Sequence, residues 1–244
     1  MRFVVGEIRG GTRTYRLAAN RNCRVVLRHG SHDAWVLDEI HRPPRAYEPP
    51  PAVADVLQDI AARRPLRVLD LGANVGLFTV YVLSEYPEAA VTSYEPEPDN
   101  ARVLARCAER NASADIEVVQ ACAMTATGTV KITPGGSAHA CVGDATGVDV
   151  AGVDVLPLLA GYDFIKMDIE GSEWPILHDE RWPHIMREVM AFVLEWHERG
   201  CSENRPGEAA LAAVKAAGFS VAASDLDSSH GVIWGWRARS RGYY

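Results

Sequence analysis

From residue 66 onward, short apolar runs alternate with stretches of helical periodicity. This alternation constrains the fold more than any other feature of the chain. Segments 66–71, 90–95, 116–121, 163–168, 191–196 and 232–238 read as strands, and 129–133 as a further short one after a glycine turn. Segments 77–86, 99–111, 174–189 and 208–217 read as helices. Asp99 caps the second, Pro183 interrupts the third and Gly218 ends the last. Strands joined through helices run parallel, because a parallel connection must cross a face of the sheet. The expected fold is therefore a doubly wound α/β sheet covered on both faces. In such sheets ligands bind beyond the carboxyl ends of the strands, where the strand order reverses.

The first fifty residues read differently. Short extended runs around Phe3, at 15–17 and at 24–27 are separated by Gly and Asn turns. Dense proline from Pro43 to Pro51 is incompatible with a helix interior or a central strand. Residues 1–50 are accordingly expected to form a β-rich extension and linker, and 51–244 the main domain, entered through a helix at 52–63.

The 244 residues suffice for one such domain. A net charge of −7 argues against nucleic acid and anionic membrane as partners. No apolar run reaches the length of a bilayer span, and the apolar start is too short for a secretion signal. The five cysteines are odd in number and form no CxxC pair, so they read as free thiols of a cytoplasmic protein.

Polar motifs fall where the strands end. The first is Val68-Leu69-Asp70-Leu71-Gly72-Ala73-Asn74-Val75-Gly76. Its glycines allow a tight turn close to a ligand, and the next helix points its free N–H groups at the same place. It is not a dinucleotide loop, because Asn74 replaces the central glycine. Asp70 would repel a pyrophosphate but suits an ammonium group and hydroxyls. The second is Tyr94-Glu95-Pro96-Glu97, with a carboxylate placed to accept both hydroxyls of a ribose. The third is Asp163-Phe164-Ile165-Lys166-Met167-Asp168-Ile169-Glu170-Gly171-Ser172-Glu173. Asp168 is expected to face the Asp70 loop, and a lysine within a buried strand calls for a carboxylate partner. Glu173 fits helix capping as well as catalysis. A fourth feature is Glu195 with His197 at the end of the 191–196 strand, where a histidine is a natural base.

Taken together, the Leu69–Gly76, Tyr94-Glu95-Pro96 and Ile165–Glu173 blocks resemble the FkbM family of methyltransferases, within the class I fold that uses S-adenosylmethionine. The third block is the most specific, and residues 31–40 are similar to the lead-in such proteins carry. The resemblance covers about residues 66–200. It implies a seven-stranded Rossmann-like sheet whose last strand is antiparallel. It also implies S-adenosylmethionine as methyl donor and O-methylation of a sugar, polyketide or other natural product. On this sequence it assigns Asp70, Gly72, Asn74 and Gly76 to the methionine part of the cofactor and Glu95 to the ribose. Ala121 and Cys122 are assigned to the adenine, with Phe78, Pro96 and Asp168 completing the cofactor wall.

The acceptor's proton needs a base, for which His197, Glu170 and Glu195 are the candidates. If His197 serves, it should titrate from about 6.5, moved by neighbouring carboxylates. The carboxylate cluster could instead hold a divalent metal that binds the acceptor's oxygens. Asp168, Glu195 and His197 are suitable ligand types, but no spacing supports the metal strongly and no metal ligand is assigned. Two other readings share the strand–glycine loop–helix signature. One is a nicotinamide-dependent oxidoreductase, and the other is a catalytically silent binding protein with the same fold.

Overall fold

The structure is a computed structural model that describes residues 10–18, 20, 22–43, 45–133, 141–142 and 147–237. A hairpin of β1 (Gly11–Arg16) and β2 (Arg24–His29) leads to helix α1 (Asp33–His41) and helix α2 (Pro51–Ala61). The main series follows as β3 (Arg67–Leu71), α3 (Leu77–Glu85), β4 (Ala90–Tyr94), α4 (Pro98–Arg110) and β5 (Asp115–Val119). An insertion of β6 (Cys122–Met124), β7 (Gly128–Thr133), β8 (Cys141–Val142) and β9 (Val148–Asp154) precedes the second half. That half comprises β10 (Phe164–Met167), β11 (Ala191–His197), α5 (Pro206–Ala216), β12 (Ser220–Ala223) and β13 (His230–Trp236).

Seven strands form the main sheet in the order β12-β13-β11-β10-β3-β4-β5. β3 is parallel to both β4 and β10, and β13 is antiparallel to β11 and β12. The chain starts at β3, builds outward to β5, and returns to lay β10 on the other side of β3. The reversal thus lies between β3 and β10, and their carboxyl ends open one crevice.

Burial on both faces explains why the central strands are almost uniformly apolar. Along β10, Phe164 joins one core with Val25, Leu57, Phe78 and Trp234, while Ile165 and Met167 join the other with Trp182, Phe192 and Trp196. Helix α3 is buried from Leu77 through Leu83. It tolerates apolar residues all round because β2 and α1 cover its outer side, so residues before 51 share the first core.

Several elements differ from the sequence expectations. The proline run does not delay the helix, since Pro51 occupies its first turn, where a missing N–H is harmless. Residues 33–41 form a helix rather than an undefined lead-in. Glu97, not Asp99, caps α4, accepting from the Asn100 N–H at 2.7 Å. The 174–189 helix is split into Glu173–Leu177, Trp182–Ile185 and a 3-10 turn, Met186–Glu188. The strand at 129–133 belongs to a separate four-stranded sheet, β6-β9-β7-β8. The run around Phe3 and Ala238 lie outside the described residues. Among the described residues no helix is long and apolar enough to cross a membrane.

Candidate active site

The loop after β3 is held from three sides. The Gly72 and Ala73 N–H groups both donate to the Tyr94 carbonyl. The Lys166 ammonium donates to the Gly72 carbonyl at 2.7 Å. Gly72 has φ +79°, and a Cβ there would lie 1.7 Å from the Asp168 carbonyl oxygen. The two loops at the reversal point therefore touch backbone to backbone, which brings Asp168 to the Asp70 loop as its sequence position suggests.

Lys166 is the pivot of the site. Its ammonium is buried 3.2 Å from Asp168 and 3.5 Å from Asp70, the carboxylate partners that a strand lysine calls for. Burial alone would lower its pKa, but the charges of Asp168 and Asp70 raise it, so it stays protonated. Tyr47, from the proline-rich segment, places its hydroxyl between the Asp168 Oδ2 and Glu195 Oε2 atoms, bonding to both. Asp70 also accepts from the Thr79 hydroxyl and is wholly buried.

Glu95 follows β4 directly. Its Oε2 accepts from the Asn74 N–H at 2.8 Å, and its Oε1 from the Glu97 N–H at 3.0 Å and the Asn100 side-chain amide at 3.3 Å. Burial pushes its pKa up to about 7, with these hydrogen bonds pulling the other way. Asn74 has φ +51°, and its Oδ1 is buried without a hydrogen-bond partner among the described residues.

His197 ends β11. Its N–H and Nδ1 both approach the Glu173 Oε1, at 2.7 and 3.1 Å. Its Nε2 lies 3.6 Å from Glu170, and 4.0 Å from both Asp168 and Glu195. Burial acts to lower its pKa, but the Glu173 hydrogen bond and the charges of Asp168, Glu173 and Glu170 carry it up to about 9. The displacement from about 6.5 by neighbouring carboxylates is thus upward, because four of them face one imidazole. Burial, then repulsion from Asp168, likewise raises Glu195 to about 7.

These groups surround one cavity of about 360 Å³, within the range that holds a small molecule or cofactor. Gly72, Asn74, Phe78, Glu95, Pro96, Ala121, Cys122, Asp168, Glu170, Glu195 and His197 all line it. Asp70 and Gly76 do not. Asp70 sits behind the wall on Lys166, and Gly76 starts α3 in a left-handed conformation against Leu104. Tyr47, and Trp35, Glu39 and Ile40 of α1, line the cavity without having been foreseen, as does His230. For Tyr47 the available signal was a lone aromatic among prolines. For α1 it was apolar spacing across Trp35, Val36 and Ile40. Glu173 is wholly buried, and its Oε1 takes the His197 N–H and Nδ1 while its Oε2 accepts from the Gly171 N–H just before its helix.

The arrangement also fits a nucleoside cofactor with an amino-acid tail. Glu95 presents a carboxylate beside a glycine loop, Asn74 offers an orphaned buried oxygen, and Ala121, Cys122 and Ala123 form a small-residue wall. Comparison with known proteins agrees. The family described as the methyltransferase FkbM domain matches residues 70–221. The chain is 28% identical over 177 residues to methyltransferase sdnD of Sordaria araneosa, across 54% of this chain and 67% of that protein. It is similar in fold to the methyltransferase FkbM of Methylobacillus flagellatus, with a TM-score of 0.52 and 16% identity. That match covers 70% of this chain but 44% of the other, so this chain spans less than half of that protein. With most of its length inside the matched domain, the chain belongs to the FkbM methyltransferase family.

Proposed function

We propose that this protein transfers a methyl group from S-adenosylmethionine to a hydroxyl oxygen of a small molecule, such as a sugar, a polyketide or another natural product. The observation that carries the reading is Glu95, a buried carboxylate on the cavity wall with the Gly72-Ala73-Asn74 loop beside it. When bound, S-adenosylmethionine supplies the methyl group already activated as a sulfonium. The chain's own task is then placement. Glu95 would hold the ribose hydroxyls, Asn74 and the loop the amino-acid end, and Ala121 and Cys122 the adenine. Phe78 and Pro96 would complete the wall, with Asp168 marking the boundary to the acceptor. Glu170, Glu195 and His197 line the same cavity and would take the acceptor's proton. Their carboxylates and the aromatic rings of Tyr47 and Phe78 also favour a cationic sulfonium.

Calorimetry with S-adenosylhomocysteine tests the reading. Micromolar binding of this product with no binding of NAD is the expected result, and the reverse pattern would sink it. Glu95→Ala removes charge-assisted bonds worth about 1.5–3 kcal/mol each, so affinity should fall at least about tenfold with the fold intact. An unchanged dissociation constant would make Glu95 a bystander.

The raised pKa of Glu95 adds a pH signature. Between its ordinary 4.5 and about 7 the folded chain holds a proton that the unfolded chain has lost. Stability from this group therefore falls as pH rises across that window. Binding through the ionised carboxylate has the opposite sign. Affinity for S-adenosylhomocysteine should rise from pH 6 toward 8, by up to about tenfold per unit below the pKa, and then level off. Glu95→Gln should flatten that profile. A slope that survives the substitution would assign the titration to another group.

A further inference from the structure

We propose that Asp168, Glu170 and His197 form a site for a divalent cation of the Mg²⁺ or Mn²⁺ type. The cation would hold two neighbouring oxygens of the acceptor, such as a vicinal diol or a hydroxy-carbonyl pair. This inference rests on the methyltransferase reading for the acceptor, though not for the cation itself.

The geometry is that of a built site. One ligand atom from each of the three residues lies within 4.8 Å of the other two. Two donors bound to one ion at about 2.1 Å stand about 3 Å apart when adjacent and about 4.2 Å apart when opposite. The observed separations of 3.6 Å (His197 to Glu170) and 4.0 Å (His197 to Asp168) fall between these values. Small rotations of partly exposed side chains would therefore complete the shell.

A second observation lies outside the triad and concerns where the imidazole points. Glu173 is wholly buried and takes both the His197 N–H and Nδ1. Holding Nδ1 fixes the ring and leaves Nε2 as the nitrogen that faces the three carboxylates. A carboxylate behind a histidine is the usual outer partner of a metal-bound imidazole, because it sets both tautomer and orientation. Asp168 is organised in the same sense. Its Oδ2 is taken by Lys166 and Tyr47, while its Oδ1 is the atom nearest His197. Glu195 repeats the pattern, with Oε2 on Tyr47 and Oε1 toward His197. Protein contacts thus anchor one end of each group and aim the other at a common point on the cavity wall.

Charge points the same way. Asp70, Asp168, Glu170, Glu173 and Glu195 cluster here around Lys166 and His197, with His230 stacked on the His197 ring. Carboxylates with a single imidazole favour Mn²⁺ or Mg²⁺ over softer ions. The site opens into the cavity, and even with Glu195 as a fourth protein donor an octahedral ion keeps positions for an acceptor.

Titration of the purified chain with Mn²⁺, followed by the electron paramagnetic resonance of the free ion, tests this without knowledge of the acceptor. One Mn²⁺ per chain should bind with a dissociation constant below about 1 mM. Glu170→Gln and His197→Gln should each weaken it at least about tenfold, while their affinity for S-adenosylhomocysteine stays within about threefold. Retained product binding certifies that both variants are folded. Wild-type chain that binds S-adenosylhomocysteine but no Mn²⁺ would overturn the proposal. So would variants that keep wild-type Mn²⁺ affinity. Mn²⁺ binding without S-adenosylhomocysteine binding would instead support the cation site and sink the methyltransferase reading.

Discussion

Replacing Lys166 with methionine is expected to cost about 3–5 kcal/mol of stability, the range for a buried ion pair that loses one partner. For a chain of this size that is a fall in melting temperature of very roughly 6–20 °C. Methionine matches the length of the lysine stem, so volume is largely kept, while the contacts of the ammonium with the Tyr47 and Phe78 rings are lost with the charge. Asp70 would remain wholly buried with only the Thr79 hydroxyl to bond, and Asp168 would keep only Tyr47 beside its Oδ2. The loop would also lose the ammonium bond to the Gly72 carbonyl, so affinity for S-adenosylhomocysteine should fall as well. Denaturant melts of Lys166→Met, Asp70→Asn and the double variant separate these effects. The double variant should be markedly more stable than the sum of the two single losses predicts, because Asp70→Asn removes a charge that Lys166→Met leaves stranded. Simple additivity would show that Lys166 and Asp70 do not depend on each other.

Lys166 also illustrates what could be read in the sequence. A lysine inside an apolar strand predicts a carboxylate neighbour, and the structure supplies two, Asp70 from β3 and Asp168 just after β10. The strand-end motifs were legible because each places a polar side chain where a buried strand must surface. Asp70 was assigned to the methionine part of the cofactor, but its side chain turns to the Lys166 ammonium and does not line the cavity. That follows from pleating. Lys166 and Asp70 sit opposite each other in the parallel register, on the same face of the sheet. What the sequence hid was contact at a distance. Tyr47 reaches Asp168 across 121 positions and Glu195 across 148, from a segment whose prolines advertise only a lack of regular structure. Strand β12 carries one β-branched residue, Val221, and its pairing to β13 rather than its composition makes it a strand. That carboxylates would move the pKa of His197 was legible, but their number was not, because no motif counts the four that separate positions bring around one ring.

Among the described glycines Gly72 has the least room for a Cβ, and Gly72→Ala is expected to be strongly damaging. Two costs combine. A left-handed backbone charges an alanine about 1–2 kcal/mol. The added Cβ would also stand 1.7 Å from a backbone carbonyl oxygen, where no side-chain rotation gives relief. The β3 and β10 loops would have to move apart, and with them the Gly72 carbonyl that Lys166 holds and the Tyr94 carbonyl that anchors the turn. A loss on the order of 4 kcal/mol or more is expected, at the extreme of single substitutions. Gly128→Ala is the matched control. That glycine lies in β7 with a permissive φ and open space where the Cβ would go. Its substitution should leave stability unchanged or raise it by about 0.4–1 kcal/mol, through the unfolded chain. Thermal melts of the two variants, with and without S-adenosylhomocysteine, distinguish strain at the site from a general intolerance of added bulk. Gly72→Ala should also lose the ligand-induced rise in melting temperature, since the displaced loop is the one expected to hold the amino-acid end of the cofactor. A Gly72→Ala protein that melts and binds like the unmodified chain would mean that the two loops separate freely, and that the crevice is not held by their contact.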